Sequence, residues 1–202
     1  MKPHDDIHLN QKTEMPDQPA TATTTTTSEP SSPNITITHL PAPTPEIYAF
    51  ALSAWTTLFS PIAPPTLRHQ DLPTFTKTYT PPNGRILVAT APSHPNTIIG
   101  TIGYRTYDDR FAHLGLSFPP SQKAVEVVRL FVEPAWRGKG VASKLIRELV
   151  EVVRADGART LYLHTHPFLP GAKEVWERQG WGVVVREEGA PWWTIHMRRD
   201  LG

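Results

Sequence analysis

The chain has 202 residues, 39% of them hydrophobic and 19% charged, which is enough for one globular domain with a core and some residues to spare. A formal net charge of +1 gives no overall pull toward nucleic acid or membrane, so any recognition by charge must be local. The absence of cysteine excludes disulfides, thiolate nucleophiles and cysteine-ligated metals, and no apolar run approaches the roughly 20 residues that span a bilayer.

The N-terminus, MKPHDDIHLN, lacks the apolar stretch of a secretory signal, so a cytoplasmic protein is expected, with the nucleus left open. Further on, QPATATTTTTSEPSSP has almost nothing to bury, and ordering it would cost conformational entropy without return. Residues 1–33 therefore read as a disordered tail ahead of a domain over 34–202. The same composition suits a glycosylated stalk, which would require secretion.

Residues 35–40 alternate apolar and polar side chains as a strand does. A helix is expected over 45–59, where Ile47, Ala51, Ala54, Trp55 and Leu58 recur at helical spacing and Pro45 takes the first position, where its missing N–H costs nothing. A poorer helix over 66–79 is broken at Pro73. Asn83-Gly84 turns the chain into a strand over 85–91, and a short polar link leads to another over 97–107, an antiparallel hairpin. Residues 108–123 are irregular and read as a surface loop. The run 124–132 is nearly all apolar, as a strand covered on both faces should be. Val141, Leu145, Leu149 and Val153 then form an i, i+4 row, with Lys144, Arg147, Glu148, Glu151 and Arg154 facing away: an amphipathic helix ended by Gly157. A strand over 160–166, a helix over 170–180 and a closing hairpin, 181–187 with 192–199, complete the order. The helical crossover from 124–132 to 160–166 requires parallel pairing of those strands. The fold class is thus α/β: a mixed, mostly antiparallel central sheet with one parallel βαβ unit and helices on both faces.

The junction WRGKGVA between the apolar strand and the amphipathic helix stands out. Helix N-termini carry unpaired N–H groups and a partial positive charge and so bind anions. Gly138 and Gly140 would let a phosphate touch the backbone, and Arg137 and Lys139 add charge beside it. One dipole interaction contributes only about 0.3–1 kcal/mol, so several N–H groups must converge. A plain β-to-α turn with solvated cations reads the same residues equally well. A P-loop does not, because Val141 follows Gly140 where lysine belongs, and a dinucleotide fingerprint lacks its third glycine. The acid-balanced helix that follows disfavours nucleic acid.

Taken with its flanks, this turn resembles the acetyl-CoA-binding motif of the GNAT superfamily of N-acyltransferases. LFVEPAWRGKGVA places Leu130, Val132, Arg137, Gly140 and Ala142 in register with that pattern, AKEVWERQGW is similar to the late helix and turn, and WTIHMRRDL to the final strand. The resemblance implies a GNAT-like fold whose sheet opens between 124–132 and 160–166. It implies acetyl-CoA as cosubstrate, its pantetheine arm against the main chain at Leu130, Phe131 and Val132 and its pyrophosphate on the turn formed by Arg137, Gly138, Lys139, Gly140, Val141, Ala142 and Ser143. The implied reaction is acetyl transfer to a small-molecule or peptide amine by direct attack in a ternary complex. No metal, nucleic acid or membrane partner is implied, and the closing hairpin suits either a dimer contact or a free edge.

Histone-type members of the family place a base glutamate at the offset occupied by Glu126. Strand alternation puts Glu126 on one face with Leu130 and Val132, and burial between Val125 and Val127 would raise its pKa toward a useful range. The opposing reading pairs it structurally with Arg85, Arg105 or Arg129. The family's usual acid, a tyrosine, and its preceding asparagine fall on Trp176 and Leu169, neither of which can donate as required. Tyr162, His164 and His166 share one strand face, and His166, nearest the cleft end, is the substitute acid. The His-x-His pair also suggests a metal, without a third ligand placed nearby by sequence. Trp55, Phe59 and Trp192 are candidates for the acceptor pocket, against the plainer reading of tryptophans as packing. A degenerate domain that binds acyl-CoA without turnover and a nucleotide- or nucleic-acid-binding module are the competing readings.

Overall fold

The computed structural model describes residues 34–62, 71–189 and 193–202. The expected tail, the first half of the poorer helix, Trp192 and the tip of the closing hairpin lie outside the described residues.

Among the described residues the elements run β1 (Thr36–His39), α1 (Pro45–Phe59), α2 (Phe75–Thr78), β2 (Gly84–Thr90), β3 (Gly100–Thr106), β4 (Ala124–Val132), α3 (Val141–Ala155), β5 (Thr160–Thr165), α4 (Ala172–Arg178), β6 (Gly182–Arg186) and β7 (Ile195–Asp200). The strands form one sheet in the order β1-β2-β3-β4-β5-β7-β6, and only β4 and β5 are parallel. The α/β class expected from the crossover is the one observed.

Alternation along the strands supplies two cores. Val125, Val127, Leu161, Leu163 and Met197 pack with Val141, Leu145, Leu149 and Val153, the apolar row of α3. Ile86 and Val88 point the other way, to Ile47 and Ala51 of α1 and to Leu72, Phe75 and Tyr79. Each fully buried aliphatic side chain contributes about 1.5–3 kcal/mol, so the pattern, more than helix propensity, places α1 and α3 on opposite faces. Pro73 does not kink a long helix; it opens a 3₁₀ turn, Leu72–Thr74, that runs into the single turn of α2.

Alternation fails at one point in β4. Thr101 pairs with Phe131 but Gly103 with Val128, so β4 carries one extra residue, and Arg129 has a left-handed φ of 59°. Beyond this bulge the faces exchange. Leu130 and Val132 pack with the α3 core, while Phe131 meets the Phe50 ring at 5.8 Å. The expectation that Glu126 shares a face with Leu130 and Val132 is corrected by that single inserted residue.

Buried partners hold the bulge. The Arg129 guanidinium donates to both carboxylate oxygens of Asp71, the Tyr79 hydroxyl donates to the same carboxylate, and the Thr101 hydroxyl donates to the Arg129 carbonyl at 2.9 Å. Burial, with the Asp71 charge beside it, pushes the Tyr79 phenol well above its ordinary range, so it stays a donor. Asp71→Asn would take one charged acceptor from a guanidinium whose side chain is 6% exposed. We expect a loss of about 3–5 kcal/mol, the cost of removing one partner of a buried ion pair, read as a lowered urea midpoint with unchanged slope.

Candidate active site

The parallel pairing of β4 with β5 covers only Ala124, Val125 and Glu126 against Thr160, Leu161 and Tyr162. Both strands continue, to Val132 and to Thr165, so they part beyond that point. Among the described residues, main-chain groups on the facing edges of the parted strands have no strand partner across the gap. The opening is a cleft of about 640 Å³, bounded by both strands, by the start of α3 and by α4 on one face, and by Ala51, Trp55 and Phe59 of α1 on the other.

The α3 end of the cleft is built for an anion. Gly138 and Gly140 have φ of 73° and 80°, a region that costs other L-residues about 1–2 kcal/mol, and a Cβ added to either would meet nothing within 4 Å. The glycines thus satisfy backbone conformation, and the space beside them is open. Gly140 caps α3 without a side-chain hydrogen bond, and no acidic residue occupies its first turn, so the leading N–H groups are available to an incoming ligand. Arg137 is fixed beside them: its Nε donates to the Val132 carbonyl at 3.0 Å, and its guanidinium lies 5.6 Å from the Phe131 ring centre. Ser143 accepts a hydrogen bond from Gln179 of the α4 turn at 3.3 Å. Of the residues expected to bind the cofactor, Leu130, Phe131, Val132, Arg137, Gly138, Gly140, Val141, Ala142 and Ser143 line the cleft. Lys139 is not among the lining residues; its ammonium sits 5.0 Å over the Trp136 ring. A diphosphate with an extended arm fits this donor set.

The candidate base is elsewhere. Glu126 is completely buried and does not line the cleft. Arg105 Nε donates to its Oε2 at 2.8 Å, and Arg110 donates to Oε1. Burial pushes its carboxyl up, but His164, Arg105 and Arg110 together outweigh burial and hold it well below the ordinary carboxylate range. The expected upward shift is corrected: His164, Arg105, which the opposing reading named, and Arg110 outweigh desolvation.

His164 does line the cleft, and its Nδ1 lies 3.1 Å from Glu126 Oε1. That is ion-pair distance, but the ring is turned off the line of a hydrogen bond, and Nδ1 finds no other partner among the described residues. His166 also lines the cleft, 5.7 Å from the His164 ring and stacked on Phe168 at 4.9 Å. Trp55 and Phe59 stack at 5.8 Å on the α1 wall. Trp176 and Leu169 both border the cleft. No group of three or more metal-ligating side chains occurs among the described residues.

Residues 108–123 are more than a surface loop. Phe111 packs on Tyr162, His164 and His196 at 6.0, 5.7 and 4.8 Å, roofing the polar face of β5 and β7. Beneath it Tyr162 and His196 share a 2.6 Å hydrogen bond, and His196 Nε2 lies 2.8 Å from Glu187. Burial lowers the His196 pKa, favouring the neutral ring. The missed contributors to the cleft, Thr101 and Gln179 among them, carry no motif that would have marked them.

The sequence model of the Acetyltransferase (GNAT) family matches residues 49–181. No curated protein matches the chain by sequence. Among solved structures the chain is similar to Arabidopsis thaliana NAA60 in complex with acetyl-CoA, at 17% identity and a TM-score of 0.62, covering 83% of this chain and 99% of that one. It is similar to yncA of Salmonella typhimurium with its cofactor acetyl-CoA, at 16% identity and a TM-score of 0.62, covering 84% and 95%. A GNAT-family acetyltransferase of Staphylococcus aureus MU50 matches at 17% identity and a TM-score of 0.60, covering 84% and 100%.

Proposed function

The chain belongs to the GNAT acetyltransferase family, and from that premise we propose that it moves an acetyl group from acetyl-CoA to a primary amine in a ternary complex across the parted sheet. The observation that carries this reading is the coincidence of two features in one cleft: the open edges of β4 and β5, and the uncapped N-terminus of α3 at Gly140. The amides from Gly138 to Ser143, with Arg137, would hold the pyrophosphate, and the main chain at Leu130, Phe131 and Val132 would hold the pantetheine arm. Lys139 adds positive charge to the rim. The presence of acetyl-CoA in the similar structures supports the same assignment.

Bound acetyl-CoA supplies an acyl group activated as a thioester; the protein must supply a neutral amine and manage protons. For an amine of pKa about 10.4, neutralisation at pH 7 costs about 4–5 kcal/mol. We assign the proton acceptor to His164, the imidazole of the cleft that approaches Glu126. Nδ1 lies at ion-pair distance from the carboxylate, so the imidazolium formed on proton transfer gains an anionic neighbour. Glu126 thereby becomes a positioning residue rather than the base. As the C–N bond forms and the C–S bond breaks, the thiolate needs a proton, and His166 is the donor in this reading, since Trp176 has no hydroxyl.

His164→Gln should lower kcat by about 100- to 10,000-fold, the range a general base supplies, and leave CoA affinity unchanged. A wild-type kcat in that variant removes His164 from the mechanism. Thermal shift separates the competing readings. CoA at about 100 times its Kd should add about 2.7 kcal/mol, whereas stabilisation by ATP or RNA and not by CoA overturns the assignment. Stabilisation by CoA without thiol release from any amine would leave a binding domain only.

A further inference from the structure

The two mouths of the cleft differ in chemistry. The α3 mouth is lined by amides and cations. The α1 mouth is aromatic: Trp55 stacks on Phe59, and Phe59 lies near-perpendicular to His166 and to Phe168, each at 5.9 Å, while His166 and Phe168 are 6° from parallel. The charged residues among the described lining are Arg129, Arg137 and Arg178, and no Asp or Glu is among them. Glu126, the carboxylate next to His164, is fully buried with both oxygens engaged by arginines.

Resting on the acetyl-transfer reading above, we infer that the acceptor is a primary monoamine carried on an aromatic or bulky apolar body, and that polycationic amines are rejected. The ring faces attract a single ammonium on arrival and bury a planar apolar group at little entropic cost. A second ammonium would have to leave water with no carboxylate among the described lining to meet it. An enzyme for polyamines or for polycationic sugars needs acidic walls, and the described walls of this cleft are aromatic at the α1 mouth and carry no carboxylate.

The test is binding to the protein saturated with CoA, which is unreactive, so that affinity is read apart from catalysis. 2-Phenylethylamine and tryptamine are titrated beside 1,4-diaminobutane and spermidine. The aromatic amines should bind at least about 30-fold tighter than the diamine. Trp55→Ala should weaken tryptamine by about tenfold while leaving CoA affinity intact, and Trp55→Asp, by supplying the missing carboxylate, should raise spermidine affinity. Spermidine or diaminobutane binding as well as the aromatic amines to the wild type overturns the inference. So does a protein that holds CoA yet binds neither aromatic amine, an outcome that leaves the acetyl-CoA site standing. Failure to bind CoA at all sinks the acetyl-transfer reading, and the inference falls with it.

Discussion

Replacing Gly140 by aspartate should lower CoA affinity by more than about 100-fold and leave the free protein folded. Gly140 sits at φ 80° with open space beyond its Cα, at the point where the first amides of α3 face the cleft. Aspartate is among the few residues that tolerate the left-handed region, so the turn survives, but its carboxylate would occupy the space proposed for the pyrophosphate. Two like charges at that distance, close to a low-dielectric wall, cost several kcal/mol, against about 2.7 kcal/mol for a 100-fold loss. Gly140→Asn separates shape from charge, because it fills the same volume without repelling an anion. We expect calorimetric titration to give an affinity for the asparagine variant between those of wild type and Gly140→Asp. Wild-type CoA affinity in the aspartate variant would show that the anion lies elsewhere.

Most of the fold was legible because the sequence patterns have the periods of their elements. The helix expected from Ile47, Ala51 and Ala54 is α1 from Pro45 to Phe59, and the row Val141, Leu145, Leu149, Val153 is the buried face of α3. The crossover forced β4 and β5 to run parallel, and the glycines of WRGKGVA marked the turn that opens α3. The β4 bulge was not legible. Arg129 is not a glycine, and nothing local tells the chain to take a positive φ there. The reason lies about sixty residues away in sequence, at Asp71, whose buried carboxylate holds the guanidinium. The same kind of long-range pairing misled the reading of Glu126. Desolvation is visible in a run of valines, but the two arginines that outweigh it come from β3 and from the 108–123 segment. Fold followed from short-range periodicity; the charge state of the site depended on partners that periodicity does not place.

Those partners make Glu126→Gln a stability variant before it is a catalytic one. The wild-type carboxylate, with no solvent exposure, neutralises Arg105 and Arg110, whose side chains are 14% and 21% exposed. An amide keeps the shape but leaves Arg105 without its carboxylate partner and Arg110 with Asp108 alone, and removing one partner of a buried pair costs about 3–5 kcal/mol. Urea unfolding at pH 7 should show that loss. The pH dependence gives an independent check. Because the folded carboxyl is held below its ordinary value of 4.5, its stabilisation is fully present above that pH and is lost as pH falls. Below pH 4.5 the wild type should lose about 1.4 kcal/mol per pH unit from this one group, and Glu126→Gln should lack that component of the slope. Glu126→Asp retains the charge and should recover much of the stability. If Glu126→Gln were as stable as wild type with the same acid slope, the carboxylate would not be carrying the ion pairs. Its proposed support of His164 would then lack the arginine ion pairs that help hold the carboxyl down against burial.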